Sequence, residues 1–111
     1  MSNISKYIEN AINHGEATNK GDHKKANKCY EKLIEAYLQI RNSGENWIDE
    51  FIELLLHEND SVKCWSATHL LKYREQEAIK TLKELNTGKG ITSFDAEMVL
   101  EEWKKGNLKL P

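Results

Sequence analysis

The only proline in this 111-residue chain is its final residue, Pro111. A proline inside a helix removes an amide donor and clashes with the preceding turn, so nothing of that kind interrupts a helix before position 111. Stretches rich in Ala, Leu, Glu and Lys, all strong helix formers, fill that space. The expected fold class is therefore all-α. A chain of this length buries roughly two-thirds of its unfolded surface on folding. With 39% hydrophobic and 31% charged residues it belongs with globular rather than disordered sequences. We expect one domain, residues 1–111, that folds without metal or disulfide staples.

Apolar periodicity and turn residues divide the chain into about six helices. The first, about 3–19, carries Ile4, Tyr7, Ile8, Ala11 and Ile12 at helical spacing, and Asp22 is placed to cap the second. The second aligns Ala26, Tyr30, Leu33, Ile34, Tyr37 and Ile40 until Asn42-Ser43-Gly44 stops it, which makes an N-terminal hairpin of about 3–43. The third, about 46–57, has apolar residues around most of its circumference and is expected to be buried on more than one side. Asp60 is read as the cap of a fourth helix over about 61–73, followed by helices at about 75–86 and 92–105.

The fourth and sixth helices repeat one pattern. Cys64-Trp65-Ser66-Ala67-Thr68-His69-Leu70-Leu71 aligns with Ser93-Phe94-Asp95-Ala96-Glu97-Met98-Val99-Leu100, pairing aromatic with aromatic and alanine with alanine. Ile52 and Leu55 match Leu82 and Leu85 more loosely, so the unit is a helical hairpin, about 46–73 and again about 75–105. A period near 30 residues is the mark of an α-solenoid. Ala67 and Ala96 are small where helices cross closely, and the aliphatic pairs fill the core one turn on. At 100° per residue, Trp65 and His69 lie on a different side from Ala67 and Leu71, and Phe94 and Met98 occupy the equivalent side of the sixth helix. Either another layer, such as the N-terminal hairpin, covers this second stripe, or it is a surface for a partner.

Leu54-Leu55-Leu56-His57 and Asp60-Ser61-Val62-Lys63-Cys64-Trp65-Ser66-Ala67-Thr68-His69-Leu70-Leu71 resemble the HEAT-repeat pattern of aliphatic helix, Asp-capped turn, Val-basic pair and Ala-containing helix. With Phe94-Asp95-Ala96-Glu97, Glu102-Trp103-Lys104-Lys105-Gly106 and the early Gly21-Asp22, Ala26-Asn27 and Tyr30, most of the chain is similar to a bacterial family of small HEAT-like proteins, the domain of unknown function numbered twenty-nineteen. Ser61 departs from it, standing where HEAT turns commonly have proline. The resemblance implies an α-α superhelix, with the N-terminal hairpin packed on two HEAT-like hairpins, and a bacterial, intracellular setting. It brings no established activity with it.

No Gly-rich phosphate loop, HExxH pair or nucleophile elbow is present. His14, His23, His57, His69, Cys29 and Cys64 are scattered without metal-site spacing, so no metal and no cofactor is expected. The two cysteines lack CxxC spacing and read as small buried thiols of a cytosolic protein. The N-terminus has no apolar signal core and no run is long enough to span a membrane, which makes the cytoplasm the expected location. Asp95, Glu97, Glu101 and Glu102 cluster on the last helix, but carboxylates do acid–base work only where burial raises one pKa. The chain is read as a non-enzyme with no catalytic residues.

The leading expectation is a protein-interaction module, of the kind that serves as an immunity or antitoxin partner, binding another protein through Trp65, His69, Phe94 and Glu97, with Trp103 in the core. The alternative is binding of nucleic acid or another anionic partner along Lys20, Lys24, Lys25, Lys28 and Lys32 of the second helix. Glu31 and Glu35 among these lysines, and a net charge of −2, favour instead a solvated face laced with ion pairs.

Overall fold

The computed structural model of the chain describes residues 2–111. Met1, which begins the N-terminal segment inspected above for a leader, lies outside the described residues. Six α-helices are present, with no strand among the described residues: α1 Asn3–Asn19, α2 His23–Arg41, α3 Trp47–Phe51, α4 Asp60–Leu70, α5 Glu75–Leu85 and α6 Gly90–Lys105. Among the described residues no helix is long and apolar enough to cross a membrane. The chain divides into two compact units, Met1–Glu53 and Leu54–Pro111. That boundary falls inside the segment 46–73 that the repeat reads as one hairpin.

In the first unit, α1 and α2 pack along their length and α3 leans on α2. The turn between them is built by short-range hydrogen bonds. The N–H of Gly21 donates to the carbonyl of Thr18 at 3.1 Å and that of Asp22 to Ala17 at 2.9 Å, a closure that needs the left-handed backbone Gly21 supplies at φ 74°. One residue later the Asp22 carboxylate accepts from the N–H of Lys25 at 3.1 Å and starts α2. The core is an aromatic cluster: Tyr7 meets Phe51 edge-on at 4.9 Å between ring centres, and Tyr37 and Trp47 each lie 5.8 Å from Phe51. Ala11, Leu33, Ala36 and Ile40 are buried in the same unit.

The third helix departs from expectation. After Phe51 the chain tightens into a 3-10 turn, Ile52–Leu56. At three residues per turn, positions three apart share a side; Phe51 and Leu54 are buried, while Leu56 is 86% exposed. The segment therefore buries one side, not several.

In the second unit α4 packs on α5 and on α6, and α5 on α6. Ala67, Leu70, Leu71, Ala78, Leu82 and Ala96 form its core. The N-terminus of α4 is capped by Asn59 rather than Asp60: the Asn59 Oδ1 accepts from the N–H groups of Ser61 at 2.9 Å and Val62 at 3.2 Å. Asp60, one residue on, is already helical and contributes only its charge to the positive end of the helix. Asn59→Ala should therefore cost about 1 kcal/mol of stability in urea denaturation, and Asp60→Ala should cost less.

Candidate functional site

Helix α4 is buried almost all round, with Val62, Cys64 and every residue from Ser66 to Leu71 inside. Its polar side chains are satisfied within the helix. The Ser66 hydroxyl donates to the carbonyl of Val62 at 2.7 Å and the Thr68 hydroxyl to that of Cys64 at 2.7 Å. Burial pushes the Cys64 thiol up to about 12, with the negative charges of Asp95 and Asp60 adding to the effect. His69 is only 2% exposed and its ring lies 5.7 Å from that of the half-buried Trp65.

His69 is therefore not a surface binding residue, and Trp65 presents at most an edge. The second stripe of α4 is thus largely covered, His69 buried and Trp65 half-buried. On α6 the same stripe is open. Phe94 is 60% exposed, Met98 46% and Ile91 38%, and the three lie within about 60° of arc at 100° per residue. Ser93 and Ala96 face the other way and are buried. Asp95, Glu97 and Glu101 stand exposed around the stripe, with Lys104 and Lys105 beyond its C-terminal end.

So the structure separates the four residues expected to act together: Trp65 and His69 lie inward, Phe94 and Glu97 outward. Ile91 joins the outer group. The signal for it was in the sequence, since Ile91, Phe94 and Met98 follow the i, i+3, i+7 spacing, but Ile91 sits in the first turn after two glycines and looks like part of a loop. Trp103 is half-buried rather than core, and its indole N–H donates to the Glu75 carboxylate at 2.9 Å, tying the end of α6 to the start of α5.

The five lysines of the alternative face are all exposed. Lys20 does not belong to the second helix: it closes the end of α1, cut off from α2 by Gly21 and Asp22. Among the described residues none of the five makes an ion pair within 4.0 Å, so Glu31 and Glu35 do not lace the face as expected. Lys25, Lys28 and Lys32 lie along one edge of α2, where with Lys6 of α1 they border a groove of about 530 Å³. Among the described residues no three His, Cys, Asp or Glu side chains come together as metal ligands.

No protein-family model matches the chain, and no curated protein matches it in sequence. Among solved structures, it is similar to the crystal structure of the protein RPA1889 from Rhodopseudomonas palustris CGA009. That likeness has a TM-score of 0.85 at 16% sequence identity and covers 100% of this chain and 95% of the other. At such identity the likeness is one of fold, an all-helical architecture held by a largely different set of side chains.

Two measurements check this division into inner and outer residues. Phe51→Ala should cost about 3–5 kcal/mol in denaturant unfolding, whereas Phe94→Ala should stay within about 0.5 kcal/mol of wild type. The Cys64 thiol should resist alkylation in the folded protein at neutral pH. Because its folded pKa is raised, its contribution to stability is intact below pH 9.0 and is lost as pH climbs towards about 12. Cys64→Ser should flatten that alkaline decline.

Proposed function

We propose that the chain is a small protein-interaction module whose docking surface is the outer face of α6. The single observation that carries this reading is the exposure of Ile91, Phe94 and Met98 on one stripe of a helix whose opposite face already holds the core. A helix needs only one apolar side to fold against its neighbours, so a second one left in water has no stabilising role in the monomer. Phenylalanine and methionine are also among the side chains enriched at interface centres.

The partner is a protein with a basic, apolar-centred surface. Asp95, Glu97 and Glu101 surround the stripe, and a carboxylate rim speeds the approach of a positive surface and penalises acidic competitors. An immunity- or antitoxin-like role is the specific form we favour, in which the acidic rim and the Phe94 ring close off a basic working site on the partner. Such a role asks for no catalytic group and no cofactor in this chain. The HEAT-like resemblance of Asp60–Leu71 and its echo on α6 fits the same reading, since stacked hairpins present extended faces. Placement in the cytoplasm is part of the proposal, supported by two buried free thiols, Cys29 and Cys64.

The test is capture from lysate of the source cell with three forms of the protein, the captured species being identified and its affinity then measured. A basic partner held by wild type should weaken by about 2 kcal/mol or more with Phe94→Ala/Met98→Ala, as for residues at the centre of an interface. Glu97→Lys/Glu101→Lys should slow association and reduce its salt dependence. An acidic partner, or a basic one indifferent to both variants, defeats the proposal. Sedimentation showing a dimer that Phe94→Ala dissolves would assign the face to a second copy of the chain instead.

A further inference from the structure

The groove between α1 and α2 lies wholly within the first unit and is independent of the α6 face. Its volume, about 530 Å³, falls in the range typical of small-molecule sites. Four lysines border it, Lys6 from α1 and Lys25, Lys28 and Lys32 from α2. Lys25, Lys28 and Lys32 follow one another at helical spacing along one edge of α2, so their positive charges repel and an anion among them is favoured. Glu9 and Glu35 also line the groove, yet among the described residues neither comes within 4.0 Å of a lysine amine. The side-chain amide of Asn13, a half-buried residue in the wall, has no hydrogen-bond partner among the described residues. The groove thus holds unpaired cations, two unpaired carboxylates and an unengaged amide in one small space.

The mixture of signs narrows the ligand. A nucleic-acid strand carries a negative charge about every 3.4 Å and, laid along this groove, meets carboxylates as well as amines. A compact molecule with its negative charge at one end avoids that conflict. We propose that the α1–α2 groove binds a small phosphomonoester bearing an amine or hydroxyl at its other end. The phosphate takes Lys25, Lys28 and Lys32 of α2, the donor end takes Glu9 and Glu35, and Asn13 is placed to hydrogen-bond the ligand. Lysine suits the phosphate end because its ammonium is a mobile point charge with three donors, so several can adjust to one anion. Sequence spacing along α2 alone did not reveal this site, because one of its four lysines and the asparagine come from the other helix.

The experiment is an amide-shift NMR titration of the full chain with inorganic phosphate, O-phosphoethanolamine and a short single-stranded oligothymidylate as separate probes. The expected result is saturable shifts at Asn10, Asn13 and Cys29 with phosphoethanolamine, which binds more tightly than phosphate. Lys28→Gln/Lys32→Gln should weaken both by roughly tenfold, the usual scale for losing a charged hydrogen bond. Glu35→Gln should weaken phosphoethanolamine alone. All of these positions are exposed, so the variants keep the fold, and Lys80→Gln/Lys83→Gln on α5 serves as a control that should change nothing. The proposal is overturned if neither small probe shifts these amides, or if the α5 control weakens binding as much as the groove variants. It is equally overturned if the oligonucleotide binds more tightly and Glu35→Gln strengthens it, which would make the groove a nucleic-acid site.

Discussion

A helix with almost no exposed side sets the terms for the second half of this protein. From Ser66 to Leu71 every residue of the α4 region is buried, which requires that each polar atom on it find a partner before water is removed. The local solution is back-bonding. Ser66 and Thr68 return their hydroxyls to carbonyls one turn earlier, at no cost in long-range geometry. Cys64 stays neutral, since a thiolate there faces both a dry surrounding and two acidic neighbours. Ala67 and Ala96, with no exposed surface at all, mark where a larger side chain has no room. The packing of α5 and α6 follows from the shape that α4 presents.

That constraint turns one sequence pattern into two physical roles. The octapeptides beginning at Cys64 and Ser93 agree structurally at their small positions: Cys64 and Ser93 are buried, as are Ala67 and Ala96. Of the aliphatic pairs, Leu70 and Leu71 are buried, whereas Val99 and Leu100 are only half-buried. The agreement breaks at the second stripe. Trp65 and His69 are covered, and the equivalent Phe94 and Met98 are not. Core packing explains the buried His69 and most of the half-buried Trp65. It does not explain a phenylalanine and a methionine kept in water, which is why the functional reading rests on α6 and not on the repeat as a whole.

Helix positions were almost entirely legible. The spacing of Tyr7 and Ala11, or of Leu33, Tyr37 and Ile40, is a local property, and so are the stops at Gly21 and Gly106, where left-handed glycines close the helix with hydrogen bonds inside one turn. The misreadings share a cause. Asn59 and Asp60 are both good caps, and choosing between them depends on which residue leaves helical geometry, a matter of one backbone angle. The 3-10 turn after Phe51 carries residues that suit an ordinary α-helix equally well. Lys20 stands four residues before Lys24, the interval that also separates Lys24, Lys28 and Lys32, but the turn at Gly21 lies between it and the rest.

What the sequence by itself determined is what depends on neighbours within about one helical turn: the all-α class, the approximate positions of the helices, and the two apolar sides of α4 and α6. Periodicity and capping act at that range, and tertiary packing only ratifies them. What the tertiary structure decided is which of two equivalent apolar sides meets other protein and which meets water, and which charges from separate helices share a groove. Burial is a property of the space around a residue. Met98 and His69, or Lys6 and Lys28, carry no mark in the sequence of what the fold places beside them.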